Sequence, residues 1–166
     1  MTKYYGKYRG MVVSNEDPER LGRVLLQVPD VTGLVPSTWA MPCVPVAGMQ
    51  NGIWCVPQPG AAVWVEFEQG NPDYPIWTGG FWASQADVPG LAHTALPANP
   101  NMILQTMQQT GLTLSDNPGI GIILKTSQGA MIMINSTGIV ISNGQGATIV
   151  MNGKSIILNE GALAVT

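Results

Sequence analysis

Glu66 and Glu68 stand two residues apart in the run AAVWVEFEQ (61–69), the spacing that places two carboxylates on one face of a β-strand. A carboxylate pair can run acid and base chemistry such as glycoside hydrolysis. No third polar partner accompanies this one, so the solvated face of a strand is expected. The single histidine, His93, lies between Ala92 and Thr94 in a Pro-bounded stretch, with no neighbour at the spacing of a metal ligand set or a catalytic base pair. Cys43 and Cys55 lack C-x-x-C spacing and are expected to be reduced, largely buried thiols. Gly119-Ile120-Gly121 lacks the third glycine and the helix of a nucleotide-binding loop, and reads as a turn. Arg23 is expected to pair with a carboxylate of the 15–22 loop or at a subunit contact. These residues predict no catalytic, cofactor-binding or metal-ligating site, and the chain is not expected to be an enzyme.

The elements that carry these residues are short and predominantly extended. An arm at 1–7 places Tyr4 and Tyr5 beside Lys3 and Lys7. Such a cluster can stack on bases, but docking on a protein neighbour is the expected role. YRGMVVS (8–14) suits a first strand, NEDPERLG (15–22) a polar loop, and RVLLQV (23–28) a second strand stopped by Pro29. Residues 29–60 are rich in Pro and Gly and leave no room for a useful helix. Residues 61–69 alternate, with Val63, Val65 and Phe67 on one face and Trp64, Glu66 and Glu68 on the other. Gly70-Asn71-Pro72-Asp73 then turns the chain into YPIWTGGFW (74–82), closing a hairpin. Five short strands with long loops predict a small closed barrel of the OB type.

After a Pro- and Gly-marked linker at 83–100 the composition changes. Only a tenth of the whole chain is charged, against roughly a quarter in an average domain, and from residue 89 onward only Asp116, Lys125, Lys154 and Glu160 carry charge. Glycines at 129, 138, 146, 153 and 161 recur at steps of nine, eight, seven and eight residues. Runs such as Ile132-Met133-Ile134, Ile139-Val140-Ile141 and Ile149-Val150-Met151 lie between them, each followed by Asn or Ser. Each repeat predicts one strand and one tight corner. So short a unit cannot bury its own apolar face, and stacking as a β-helix or β-solenoid is expected; 101–117 supplies the first strands.

The net charge of -3 and isoelectric point near 4.9 disfavour a nucleic-acid partner. The N-terminal residues contain no apolar signal core, and no apolar run reaches the roughly 20 residues of a membrane span. Synthesis in the host cytoplasm, without a secretion signal, is expected.

Gly10, Asp17-Pro18, Leu21-Gly22-Arg23-Val24, Val28-Pro29, Trp39-Ala40, Pro59-Gly60, Val63, Val65, Phe67, Gly70, Pro72-Asp73, Pro75 and Gly79 together resemble the OB domain of the central spike of contractile phage tails and type VI secretion systems. DPERLGRVLLQVP and VEFEQGNPDYPIWTG are its most specific pieces. The resemblance implies an OB barrel over 8–82 and a triple-stranded β-helix over 101–166, wound from an intertwined homotrimer. It implies a separate trimeric baseplate hub on one side, a target cell envelope on the other, and residence in the virion tail baseplate or an equivalent injection particle. Tyr4, Tyr5, Trp64, Trp77 and Trp82 are then candidate hub-side contacts. The apolar end Ala162, Leu163, Ala164, Val165 and Thr166 is a candidate docking face for a separate conical tip protein. Trp64, Trp77, Phe81 and Trp82 also suit a second reading, a stacking platform on an OB module that binds single-stranded nucleic acid or glycan, with the repeat as a trimerising stalk.

Overall fold

The computed structural model describes residues 2–95 and 97–165. The chain divides into two compact units, Met1–Asp87 and Val88–Thr166. The first contains β1 (Tyr8–Ser14), β2 (Val24–Gln27), a one-turn α1 (Pro29–Thr32), β3 (Pro36–Pro42), a small hairpin of β4 (Ala47–Gly48) and β5 (Asn51–Gly52), then β6 (Ala62–Phe67) and β7 (Pro75–Gly80). Five of these strands close a barrel in the order β1-β2-β3-β7-β6. All its pairings are antiparallel except β3 with β7, which closes the barrel. Register shifts in β1, β2 and β6 supply the local bending that closing so few strands requires.

The alternation expected over 61–69 is observed from Ala62 to Phe67. Val63, Val65 and Phe67 are buried while Trp64 and Glu66 face outward, and the core is completed by Val12, Val24, Leu26, Val28, Ala40 and Trp77. Strand directions give the barrel two distinct ends. The 15–23 loop, the long 43–61 connection and the exit beyond Gly80 lie at one end; the arm before Tyr8, the 28–35 connection and the 68–74 turn lie at the other.

Short 3-10 helices at Gln85–Asp87 and Gly90–Thr94 follow the barrel. The second unit is one antiparallel sheet of β8 (Met102–Gln105), β9 (Gly111–Leu114), β10 (Ile122–Lys125), β11 (Met131–Asn135), β12 (Gly138–Ser142), β13 (Thr148–Asn152), β14 (Ser155–Leu158) and β15 (Leu163–Val165). Its spatial order is the sequence order. The strand-and-corner unit expected from the glycine rhythm is present, but each corner reverses the chain, so every strand pairs with its sequence neighbours. The reason lies in the turns. Ser136-Thr137 and Gly153-Lys154 are two-residue connections that only antiparallel strands accept. Backbone pairing inside one chain thus leaves only β8 and β15 with an open edge. Any need for further copies therefore comes from the side chains and not from strand edges.

On one lateral edge three five-residue turns repeat the same closure: Thr106 N–H to Thr110 O, Thr126 N–H to Ala130 O, and Asn143 N–H to Ala147 O, at 2.9, 2.8 and 3.1 Å. Adjacent turns also touch, since Ser127 N–H donates to Thr110 Oγ1 at 3.1 Å. Gly144, at φ +74°, lies so close to the turn below that a Cβ would stand 2.8 Å from both Gly129 C and Ala130 N. Gly146, at φ +103°, has no atom within 4 Å of such a Cβ. Gly144→Ala is therefore expected to cost the sheet about 2 kcal/mol and Gly146→Ala about half as much, as read by thermal unfolding.

Candidate functional site

At the end of the barrel where β7 exits, the 15–23 loop is tied together by one carboxylate. Asp17 is 8 % exposed and accepts the backbone N–H groups of Glu19, Leu21 and Arg23 at 3.0, 2.7 and 3.2 Å. It also accepts Nε and Nη2 of Arg23 at 3.0 and 2.6 Å. Arg23 reaches Glu19 at 3.1 Å and lies over the Trp39 ring. The partner expected for Arg23 within this loop is thus Asp17. The Arg23 guanidinium holds the Asp17 carboxyl well below the usual carboxylate range, the backbone N–H bonds add to this, and burial opposes it. The pair in turn raises the Arg23 pKa. All five hydrogen bonds that Asp17 accepts come from within the loop, so the pair is a structural clamp.

The residues expected to meet a partner do not form one surface. Tyr4 is half-buried on its own barrel, its ring 6.1 Å from those of both Tyr8 and Phe67, and its N–H bonds Gly70 O at 2.9 Å. Tyr5 beside it is 71 % exposed. Trp64 is half-buried against Phe81 at 4.7 Å, and Arg9 lies over both rings. Trp77 is corrected outright: it is a core residue whose Nε1–H donates to Gly22 O at 3.1 Å, leaving nothing for a partner. Trp82 is exposed at the opposite end of the barrel from Tyr4 and Tyr5.

Three further expectations change. β6 ends at Phe67, and Glu68 opens a 3-10 turn in which Gln69 takes φ +51°, so Glu66 and Glu68 do not share a strand face. Glu66 instead pairs with Lys7 at 2.9 Å. Cys43 and Cys55 are free but exposed, because they flank the outlying β4–β5 hairpin. That hairpin exposes Met49, and Trp54 just after it is exposed in the lining of an open cavity of about 440 Å³. Arg20 is the one charged side chain in the described lining, so the cavity holds no pair of groups for acid–base chemistry. His93 is exposed on its 3-10 helix, and among the described residues no group of three or more His, Cys, Asp or Glu could hold a metal.

The sheet of the second unit is the larger feature. Reading the registers across it, one column is Met102, Leu114, Ile122, Ile134, Ile139, Met151 and Ile156. The next column on the same face is Leu104, Leu112, Leu124, Ile132, Ile141, Ile149, Leu158 and Leu163. No polar side chain interrupts either. This face is nevertheless open, with Leu124 at 48 %, Ile134 at 42 % and Leu163 at 55 % exposure. The opposite face has one mostly apolar column, Ile103, Thr113, Ile123, Met133, Val140, Val150 and Ile157. Polar residues such as Gln105, Lys125, Ser142 and Thr148 flank it. At the C-terminal end Ala162 and Leu163 are exposed, Ala164 and Val165 belong to β15, and Thr166 lies outside the described residues.

A barrel with one pinned loop, followed by a sheet with one apolar open face, has the form of a protein that assembles with further copies. Residues 8–82 match the type VI secretion system/phage-baseplate injector OB domain. Residues 101–164 match the phage baseplate V C-terminal trimerisation domain. The chain belongs to this family of phage-baseplate and secretion-system spike proteins, and its trimerisation domain supports a homotrimer with a structural role in a phage tail or injection particle. A search of curated proteins gave no match.

The Asp17 clamp carries a pH signature. Because its carboxyl titrates lower in the folded barrel than in the unfolded chain, near 3.9, the stabilisation is complete above the ordinary carboxylate range and is lost as pH falls through that range toward the lowered value. Asp17→Asn is expected to lower the melting temperature of the barrel at pH 7 and to narrow its difference from wild type at pH 2–3, a comparison made by circular dichroism.

Proposed function

We propose that this protein is the central spike of a contractile tail or injection machine. Three copies bring their apolar sheet faces together around a threefold axis, in the triple-stranded β-helix that the family resemblance implies, and the resulting needle is driven through the target envelope when the machine contracts. The observation that carries this reading is the pair of uninterrupted apolar columns on one face of the sheet. An exposed apolar surface of that extent is unstable in water, and a closed cyclic assembly removes it from solvent in every copy at once. Branched Ile and Leu dominate both columns and pack into a dry core of few rotamers. The work done is mechanical, with no bond made or broken.

The barrels would seat on a separate hub and the C-terminal end, with Ala162 and Leu163 exposed, would receive a separate tip protein. Tyr5 and Trp82, on opposite ends of the barrel, then serve different contacts, Tyr5 suiting the hub and Trp82 a neighbouring subunit. Solution mass tests the core of this reading. The wild-type protein is expected as a trimer that resists detergent, and a folded monomer would overturn the proposal. Ile141→Asp, which buries a carboxylate in each copy, is expected to cost roughly 4 kcal/mol per chain, about a thousandfold in association. Sedimentation velocity reads that loss directly.

A further inference from the structure

Two-residue hairpin turns are usually built from Asn, Asp and Gly. The β4–β5 hairpin instead turns through Met49-Gln50, with Gln50 in the left-handed region at φ +52°. Met49 is 96 % exposed at the tip, and Val46 before the hairpin and Ile53 and Trp54 after it are exposed as well. Residues that a turn does not favour are expected where a site serves function. Met and Trp are enriched at interfaces, Met for its adaptable shape and Trp for its contact area. The hairpin takes no support from the barrel sheet, since β4 and β5 pair only with each other, and two short strands alone are marginal in water.

A surface to receive it lies at the same end of the barrel. Pro57, Pro59, Ala61, Phe81 and Trp82 line a second open cavity of about 580 Å³, and the Trp82 ring is exposed there. Hairpin and cavity have no residue in common. A closed ring of copies needs two such separate surfaces, because each copy gives one and receives on the other. Charge agrees with this pairing. Arg20 lines the cavity beside Trp54, Asp87 lines the receiving cavity, and neither is in an ion pair among the described residues. Opposite charges on the two surfaces would fix their register. Chain connectivity identifies the occupant as a second copy. Beyond Gly80 the chain leaves the barrel at this end and continues to the trimerisation domain at 101–164. Three barrels tethered through residues 83–100 are held at roughly millimolar mutual concentration, so a contact with a dissociation constant of about 1 mM is half formed without further help.

We propose that the β4–β5 hairpin is a clasp between barrels: Met49 and Trp54 of one protomer seat in the cavity lined by Trp82 of the next, in a ring of three. The proposal rests on the trimeric spike reading and names the contact that Trp82 makes within it. Photocrosslinking of the purified full-length protein tests it, with p-benzoylphenylalanine in place of Met49. Irradiation followed by full denaturation is expected to leave chains joined covalently, with the adduct in 57–62 or 80–87 of the neighbouring copy. Trp82→Asp in that background is expected to stay trimeric and to lose at least about tenfold of the joined chains, as for a buried Trp anchor. Trp82→Ala removes the ring without adding a charge, and it decides the matter if the aspartate variant does not fold; a several-fold loss is expected from it. A trimer whose chains are not joined, whose adducts fall elsewhere, or whose joining survives loss of the Trp82 ring overturns the clasp and leaves the spike intact. A folded monomer overturns both.

Discussion

A sheet that satisfies its own backbone but not its own side chains governs this molecule. Each inner strand has two partners from the same chain, so hydrogen bonding makes no demand for a neighbour. The apolar columns do make that demand, because burying hydrocarbon is the main favourable term in association and nothing polar dilutes these positions. The barrel contrasts with it. Leu26, Val12, Val24, Val63 and Val65 are fully enclosed there, and a core of that kind stands within one chain. One unit is thus complete by itself and the other is one part of something larger, which is the division of labour expected when a folded module is mounted on an assembling one.

The polar groups of the barrel serve its shape. Asp17 gathers five donors to fix the 15–23 loop, and Trp77 reaches from the core to hold Gly22 in that same loop. Both tie the long connections at one end to the strands beneath them. Lys7 and Glu66 do the same for the arm, with Tyr4 packed on Phe67. Strong electrostatics in a cleft often mark a catalytic centre; here the five hydrogen bonds that Asp17 accepts all come from residues 19, 21 and 23 of the loop it folds.

Much of this was legible from residues. The two-residue alternation over Val63, Val65 and Phe67 gave the barrel wall, and the glycine rhythm gave strand and corner. The direction of the corners was not legible, because a glycine-rich turn can continue a coil or reverse it, and two-residue turns decide for reversal only once their length is known. The difference between the two sheet faces was equally hidden. Within a single strand such as Met131–Asn135 four of five residues are apolar, and only the registers show that the impurities all fall on one face. Trp77 and Glu68 failed for a shared reason: burial of an aromatic and the end of a strand are set by contacts distant in sequence, Gly22 for the first and Tyr4, whose N–H bonds Gly70 O in the turn that Glu68 opens, for the second. Cys43 and Cys55 were misplaced because a short hairpin with two-residue strands carries little periodic signal.

The meander has one more consequence. Inter-strand hydrogen bonds lie across the strands, hence along the direction in which the strands are stacked. A push along that direction presses each strand onto the next and loads the bonds in compression, spread over every residue of a rung at once. A pull would part the rungs in series, and the weakest would fail alone. The stack is a strut, strong under thrust and weak under tension.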